Sequence, residues 1–268
     1  MKQEVIGRTP ANRRTFLKGA GFTGLGLAGA AVAGSKFFSD ERKVQAASYN
    51  DADILNFALN LEYLEAEFYS MATYGSTLVE LKVITEGDTS GPTTGGNMVP
   101  GFGSSSQATI ASALRESEID HVLYLRKALG SDAVRKPAID LGALGYGYTN
   151  VDSWLKLARQ FEDVGLSAYL GAAPLISSST YLAAAAAILG TEAQHSGSVR
   201  LACIMNGVTS PAVDSLDVPP VTKMPYDVDK NALCIPRTPA EVLKIVYAGG
   251  MQSGGFYPNG MNGTITSY

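Results

Sequence analysis

The sequence contains very little histidine, cysteine or tryptophan: two, two and one residues in 268. With only Cys203 and Cys234 and no CxxC pair, it lacks the thiolate set of a zinc ribbon or of a rubredoxin-type iron site. In an oxidising compartment the two cysteines could form a disulfide, but the sequence does not decide between a disulfide and two free thiols. With so few histidines, the surroundings of each one are informative.

Positive charge is also scarce outside the N-terminus. The first 46 residues hold eight of the 21 Lys and Arg but only three of the 25 Asp and Glu, so residues 47–268 carry 13 positive and 22 negative side chains, a net charge of −9. A protein that binds nucleic acid needs a basic surface, so we expect no nucleic-acid partner. An apolar content of 46% with 17% charged residues is typical of a globular protein with a sizeable core.

The N-terminal residues 1–46 have the composition of an export signal. Arg13 and Arg14 lie in the stretch NRRTFLK, and the uncharged segment that follows contains six glycines in 17 residues. Paired arginines before a weakly apolar segment are typical of a twin-arginine signal. We therefore expect the twin-arginine export machinery as a partner and a periplasmic or other extracytoplasmic location. A transmembrane anchor is the alternative, which the short, glycine-rich span disfavours. Cleavage could follow Ala33 or Ala46.

Helical periodicity predicts an all-α fold. Four long segments place apolar residues at three- and four-residue spacing, and no segment has the alternation of a convincing strand. A shorter helix begins with a capping box formed by Thr238 and Glu241. The four long segments are residues 51–74, 107–130, 150–173 and 178–207.

The connections between these helices divide the chain. Residues 75–106 form a long Gly/Ser/Thr-rich loop between the first two helices, which is unusual in a compact domain and is either functional or mobile. A Pro-rich, irregular segment follows residue 207. We expect a four-helix bundle at residues 47–207 and a C-terminal extension, residues 208–268, packed on that bundle.

Each of the two histidines follows a glutamate by three residues: Glu118 precedes His121, and Glu192 precedes His195. On a helix this spacing puts both side chains on one face. A single such pair is weak evidence, because many solvated helix faces carry one. Glu makes up 12 of the 268 residues, so both histidines would have this neighbour by chance only about 0.2% of the time. Imidazole and carboxylate are common partners in metal sites.

The other two long helices carry a matching pattern. Glu62 is followed seven residues later by Tyr69, and Glu162 is followed seven residues later by Tyr169. The chain thus has the order Glu…Tyr, Glu-x-x-His, Glu…Tyr, Glu-x-x-His. A dinuclear carboxylate site in a helical bundle uses one Glu from each of two helices and a Glu-x-x-His from each of the other two. Bridging carboxylates offset the repulsion between two cations, and the cations in turn allow four buried glutamates to stay ionised.

The sequence resembles the ferritin-like superfamily, and within it the exported, desiccation-related ferritin-like domain proteins. The resemblance covers about residues 49–265 and is carried by the stretches DADILNFALNLEYLEAEFY, DHVLYLRKALG, FEDVGLSAYLGAA, GTEAQHSGSVRL and GGFYPNGMNG. It implies a four-helix bundle with two metal ions, iron or manganese. By matching motifs, it implies six ligands: Glu62, Glu118, His121, Glu162, Glu192 and His195.

The sequence allows two interpretations for several other residues. Glu65 lies one turn beyond Glu62 and is either an additional carboxylate of the site or a solvated residue. Tyr69 and Tyr169 either hydrogen-bond to ligand carboxylates or simply pack in the core. We expect Trp154 in the core. We expect four acidic residues to be exposed: Glu67, Glu116, Asp120 and Asp163.

Three functions are compatible with such a site. The first is a redox enzyme of the peroxidase, catalase or ferroxidase kind, with hydrogen peroxide or dioxygen as its small oxidant. The second is a metal-binding or storage protein without turnover, although the long 75–106 loop and the C-terminal tail disfavour a simple ferritin-type cage; a smaller homo-oligomer is compatible with the sequence. The third is a protective protein of the cell envelope in oxidative or desiccation stress, in which bound metal only stabilises the fold. The sequence does not choose between iron and manganese.

Overall fold

Five α-helices and two very short strands occur in residues 49–103, 106–221 and 224–268, which the computed structural model describes. The predicted export signal lies outside the described residues. The expected all-α class is confirmed, and each long helix matches its predicted bounds within two residues. The elements are α1 Asp51–Tyr74, β1 Thr93–Thr94, α2 Ser106–Leu129, β2 Ile139–Asp140, α3 Val151–Ala172, α4 Ser179–Met205 and α5 Pro239–Val246.

Local capping explains where the helices start and stop. Asn50 caps α1 by accepting a hydrogen bond from the backbone of Asp53, whose carboxylate accepts one from Asn50 in return. Gly75 ends α1 with a φ of 65°, a left-handed conformation in which glycine carries no Cβ penalty. The predicted box of Thr238 and Glu241 caps α5.

Contacts between α1 and α2 show that these helices run antiparallel. As residue numbers rise along α1 they fall along α2: Arg126 donates a hydrogen bond to Tyr63, and Arg115 donates one to Thr73. The same holds for α3 and α4, because Asp163 meets Ser196 while the carbonyl of Leu155 meets Cys203. Contacts are most extensive within these two pairs. The bundle therefore consists of two helical hairpins facing each other.

The extension after α4 closes the bundle over α1 and α3. The Tyr257 hydroxyl donates a 2.8 Å hydrogen bond to the carbonyl of Asn60 on α1. The backbone N–H of Arg237 donates to the carbonyl of Ser167 on α3. Helix α5 packs on α3 as well. As a result, 18 of the 24 residues of α1 are buried, so this helix is surrounded on all sides and not only along one stripe.

The long connection between α1 and α2 packs against the bundle. Its β1 pairs in parallel with β2, with Thr93 opposite Ile139, and Leu78 is fully buried. The expectation that Glu67 is exposed is wrong, because this loop folds over it. Its carboxylate accepts a 3.2 Å hydrogen bond from the backbone of Leu78 and lies 3.8 Å from the buried Nζ of Lys136. Burial raises the pKa of Glu67.

The structure tests two further points from the sequence, the position of Trp154 and the state of the two cysteines. Trp154 is fully buried, as expected of a core residue. Cys203 and Cys234 are both free thiols, and Cys203 is buried. Among the described residues, no helix is both long enough and apolar enough to cross a membrane.

The expectation that Asp163 is exposed is also wrong. Asp163 is 1% exposed and lies in a buried charge network between α3 and α4. Its Oδ2 accepts from Arg200 at 2.5 Å and lies 3.4 Å from Arg159 Nη1, and Ser196 donates to its Oδ1 at 2.6 Å. Helical periodicity did not predict the burial of Asp163, because its partners Arg159 and Arg200 are charged residues that lie inside the bundle.

Asp163→Asn is expected to destabilise the protein by about 3–5 kcal/mol, because it leaves buried arginines without their full complement of negative charge. Urea unfolding followed by circular dichroism measures this. Asp120→Asn, an exposed aspartate two residues from Glu118, is the matched control and is expected to change stability by less than about 0.5 kcal/mol. Equal effects from the two variants would contradict the proposed role of the network.

Candidate metal centre

The six residues predicted to bind metal come together inside the bundle. Helices α1 and α3 supply Glu62 and Glu162, while α2 and α4 supply the two Glu-x-x-His pairs. All four glutamates are fully buried and both histidines are 8% exposed. The antiparallel hairpins bring the two Glu-x-x-His motifs to the same level, with the two imidazole ring centres 5.8 Å apart.

The donor atoms form two groups that share two carboxylates. One group consists of Glu62, Glu118, His121 and Glu192, and the other of Glu118, Glu162, Glu192 and His195. Within each group, one donor atom from every residue lies within 4.8 Å of the others. Ligands around a small divalent cation at about 2.1 Å can be up to roughly 4.2 Å apart. Donor atoms no more than 4.8 Å apart are close to this spacing, and the sharing of Glu118 and Glu192 by both groups is compatible with a dinuclear metal site.

Both imidazoles turn Nδ1 toward the carboxylates. His121 Nδ1 lies 3.0 Å from Glu118 Oε2 and 3.1 Å from Glu62 Oε2. His195 Nδ1 lies 2.7 Å from Glu118 Oε1. Glu118 thus reaches one histidine with each of its oxygens. This is the arrangement expected of a carboxylate that bridges two ions.

Within the described part of the chain, several buried polar atoms of this cluster have no hydrogen-bond partner. They are Glu118 Oε1, Glu162 Oε2, both carboxylate oxygens of Glu192, and Nδ1 of His195. The close contact between His195 and Glu118 is short but does not have hydrogen-bond geometry, so it satisfies neither atom. Unpartnered buried polar atoms are costly and rare in folded proteins. Five of them converging on one space fit a pair of cations, since the four glutamates would balance the charge of two divalent ions.

Burial and mutual repulsion perturb these carboxyl groups in the metal-free protein. Burial, followed by the charge of Glu192, raises the pKa of Glu118 well above its usual range, and burial raises the pKa of Glu162 to about 7. Burial alone would lower the pKa of His195, but its contacts with Glu118, Glu162 and Glu192 raise it to about 12. The cluster thus holds more negative charge than its two histidines can offset, which favours occupation by cations.

Tyr69 and Tyr169 hold the two unshared glutamates. The Tyr69 hydroxyl on α1 donates to Glu162 on α3, and the Tyr169 hydroxyl on α3 donates to Glu62 on α1. The contacts are reciprocal because α1 and α3 run antiparallel with the same Glu…Tyr spacing. The sequence allowed two interpretations of these tyrosines, and the structure supports hydrogen bonding to the predicted ligand carboxylates. The rings of both tyrosines are buried and also pack in the core.

The double variant Tyr69→Phe/Tyr169→Phe is expected to weaken metal binding by about 10–100-fold, because groups that orient metal ligands usually have effects of this size. Competition against a chelator of known affinity measures this change. Tyr148→Phe is the control: this buried tyrosine donates to the carbonyl of Phe68 and does not reach the cluster. Equal metal affinities in the double variant and wild type would exclude the orienting role.

Glu65 and Gly165 complete the surroundings of the cluster. Glu65 is 4% exposed, and burial together with the charge of Glu192 raises its pKa well above the usual range. It belongs to neither donor group. A Cβ on Gly165 would lie 2.8 Å from Glu192 Oε2 and 2.9 Å from Glu65 Oε1, so only glycine leaves room for both carboxylates. Sequence reasoning missed Gly165, although a glycine three residues after a candidate ligand, inside a helix, was the available signal.

The fold and the site define an all-α bundle protein with a buried Glu/His cluster compatible with a dinuclear metal site. The family described as "Ferritin-like domain" matches residues 50–204, and the chain belongs to this family. The match covers all four bundle helices up to Ile204 and all six predicted ligands.

Two characterised relatives are similar to this chain. A protein named "Ferritin-like catalase Nec2", from Nesocodon mauritianus, is 25% identical over 80% of this chain and 84% of its own length. A protein named "Desiccation-related protein PCC13-62", from Craterostigma plantagineum, is 27% identical over 56% of this chain and 52% of its own length. The resemblance to ferritin-like and desiccation-related proteins is therefore supported.

Proposed function

We propose that this protein binds two ions of iron or manganese and uses them to consume hydrogen peroxide. The observation that carries the proposal is the pair of buried donor groups that share Glu118 and Glu192. A relative that aligns with 80% of the chain is named a catalase, which supports peroxide over dioxygen as the oxidant. Disproportionation of peroxide needs no other reductant, and the chain has no CxxC pair to hold an electron-carrying iron.

The residues of the cluster have separate roles in this proposal. Glu62 and His121 would hold one ion, Glu162 and His195 would hold the other, and Glu118 and Glu192 belong to both donor groups. When bound, two ions that change oxidation state would supply two electrons for the reduction of one peroxide and accept two electrons from the oxidation of another. Tyr69 and Tyr169 keep the unshared carboxylates in position through their hydrogen bonds.

Glu65 is the group best placed to hold a proton in this site. It is buried beside Glu192 and lies outside both donor groups, and in the metal-free protein burial raises its pKa well above the usual range. Cleavage of peroxide to water requires proton delivery, and a protonated carboxylic acid in a site that excludes water supplies it. Because α1 is buried on all sides, the surrounding core allows only small molecules to reach the cluster.

We further propose that the protein acts outside the cytoplasm. The twin-arginine pattern at Arg13 and Arg14 supports export, and folding before export would allow the metal site to be loaded in the cytoplasm. The relative named desiccation-related supports a role in oxidative or desiccation stress. Detection of the mature protein in a periplasmic or secreted fraction, and its loss after Arg13→Lys/Arg14→Lys, would test this.

A second candidate function is a protective protein in which metal serves stability alone. The name of the second relative states no activity, and a ligand that binds only the folded state raises stability by mass action. In this case the protein would bind two ions but would not change the rate of peroxide loss.

The decisive experiment reconstitutes the purified mature protein with Fe²⁺ or Mn²⁺, determines metal per chain, and follows oxygen release from hydrogen peroxide. We expect about two ions per chain and oxygen release by one of the two forms. Two ions without peroxide consumption would favour the protective function. Failure to bind either metal would exclude the catalytic function, metal storage and a protective function that depends on bound metal.

A further inference from the structure

A large cavity lies where the C-terminal extension crosses α3. Its volume is about 760 Å³ and its lining is mainly apolar. The aromatic rings of Tyr146, Phe161 and Phe256 face it, together with aliphatic residues from α3, α5 and the segment at residues 211–216. Cavities of this size and composition are typical binding sites for small organic molecules.

This cavity adjoins the metal centre. A second, much smaller cavity of about 10 Å³ is lined by Glu65 and Gly165, and it shares Phe161, Val164 and Val246 with the large one. That volume is about enough for one water molecule. The side chains that line both cavities therefore lie between an organic molecule in the large cavity and the small cavity beside Glu65. Phe161 in that layer is bonded directly to the predicted ligand Glu162.

We propose that the large cavity binds an aromatic electron donor of the hydroquinone or catechol class, which the metal centre oxidises at the expense of peroxide. This inference rests on the proposed peroxide function and adds a second substrate to it. In the balanced reaction, hydroquinone and hydrogen peroxide give quinone and two waters. Two O–H bonds of the hydroquinone break, two electrons and two protons move to peroxide, its O–O bond breaks, and two O–H bonds form.

The lining favours an aromatic compound with hydroxyl groups. Phe161 and Phe256 stand edge to face, with ring centres 4.9 Å apart, and offer the edges and faces that aromatic ligands prefer. Tyr146 donates a 2.6 Å hydrogen bond to Gln160, whose amide in turn donates to the carbonyl of Pro211. The hydroxyl oxygen of Tyr146 keeps lone pairs that accept a hydrogen bond from a phenol.

The position of this donor also fits the composition of the chain. Disproportionation needs no donor, but a peroxidase reaction beside it must receive two electrons for each peroxide, and the sequence has no thiolate pair for an internal iron carrier. A bound organic donor beside Phe161 supplies those electrons without entering the carboxylate cluster. Protons released by the donor can pass through the water-sized cavity that Glu65 lines.

Binding of 1,4-hydroquinone to the metal-loaded protein, measured by isothermal titration calorimetry, tests this inference. Ala212 is an exposed residue of the cavity lining and makes no hydrogen bond among the described residues, so Ala212→Trp places an indole ring across part of the cavity with little cost to the fold. Ala113→Trp, at an exposed position of α2 away from the cavity, is the matched control. Cyclohexane-1,4-diol is the non-aromatic probe of similar size. Metal content and the circular dichroism spectrum check that each variant is folded and loaded.

We expect hydroquinone to bind the wild type and Ala113→Trp equally, and Ala212→Trp at least about tenfold more weakly. Cyclohexane-1,4-diol should bind weakly or not at all. With peroxide present, quinone absorbance should appear and should fall in Ala212→Trp. No hydroquinone binding, or equal binding to Ala212→Trp, would overturn the inference even if the protein consumes peroxide. Binding without quinone formation, in a protein that releases oxygen from peroxide, would overturn the donor role while leaving the proposed function intact.

Discussion

Glu118→Gln is expected to lose both metal ions, whereas Glu116→Gln, on the same helix and two residues earlier, is expected to keep both. Glu118 is fully buried and approaches both histidines, while the side chain of Glu116 is 67% exposed and pairs with Arg115. Loss of groups that only orient a ligand already weakens metal binding about 10–100-fold. Loss of a ligand to both ions should reduce metal content to less than about a tenth of the wild type.

The unshared ligands provide an internal comparison. Glu62 belongs to one donor group and Glu162 to the other. Glu62→Gln and Glu162→Gln are therefore expected to retain more metal than Glu118→Gln, about one ion per chain. Elemental analysis after reconstitution and gel filtration gives the metal content, and far-UV circular dichroism shows whether each variant is folded. Two ions in Glu118→Gln, or equal losses in all three variants, would exclude Glu118 as a bridge.

The sequence predicted the helices and the six residues that come together in the cluster, because both depend on local spacing. Glu118 and His121 share a helix face whatever the rest of the fold does, and the same holds for Glu192 and His195. The reciprocal contacts of Tyr69 and Tyr169 followed from the repeated Glu…Tyr spacing once α1 and α3 were antiparallel. A pattern that occurs twice specifies a symmetrical site more strongly than any single motif.

What the sequence did not predict depends on segments far apart in the chain. Glu67 is buried because the loop after α1 folds over it, and Asp163 is buried because Arg200 reaches it from α4. The role of Gly165 appears only when Glu65 and Glu192 are placed on either side of it. The large cavity is formed by α3 together with a C-terminal extension that has little periodicity. None of these contacts leaves a signal within one helix.

The metal-free protein is expected to lose stability between pH 5 and pH 8, and bound metal should reverse this. Burial raises the pKa of Glu65 and Glu118, and it raises that of Glu162 from 4.5 to about 7. A carboxyl group with a raised pKa binds its proton more tightly when folded. Its stabilising contribution is complete below about pH 4.5 and is lost as the pH rises through the folded-state pKa.

The titration of His195 also lowers the stability of the metal-free protein as the pH rises. Burial would lower the pKa of His195, but the neighbouring carboxylates outweigh it and raise the pKa from 6.5 to about 12. Its contribution is complete below about pH 6.5 and declines as the pH rises toward 12. Contacts with the histidines outweigh burial and lower the pKa of Glu192, but that change acts below pH 4.5, outside the window. The carboxyl groups and His195, whose pKa values are raised in the folded state, therefore contribute less stability to the metal-free protein as the pH increases from 5 to 8.

Metal binding changes the sign of this dependence because the ligands must lose their protons to bind cations. At a free metal concentration 1,000 times the dissociation constant, stabilisation is about 4 kcal/mol, or roughly 8–16 °C in Tm for a protein of this size. Thermal unfolding of chelator-treated and reloaded protein at pH 5 and pH 8 gives the Tm of both forms. The difference in Tm between the reloaded and the metal-free form should be larger at pH 8 than at pH 5. Glu65→Gln, which removes a buried carboxyl group outside both donor groups, should flatten the decline of the metal-free protein. A metal-free Tm that rises from pH 5 to pH 8 would contradict the crowding of carboxylates on which the site depends.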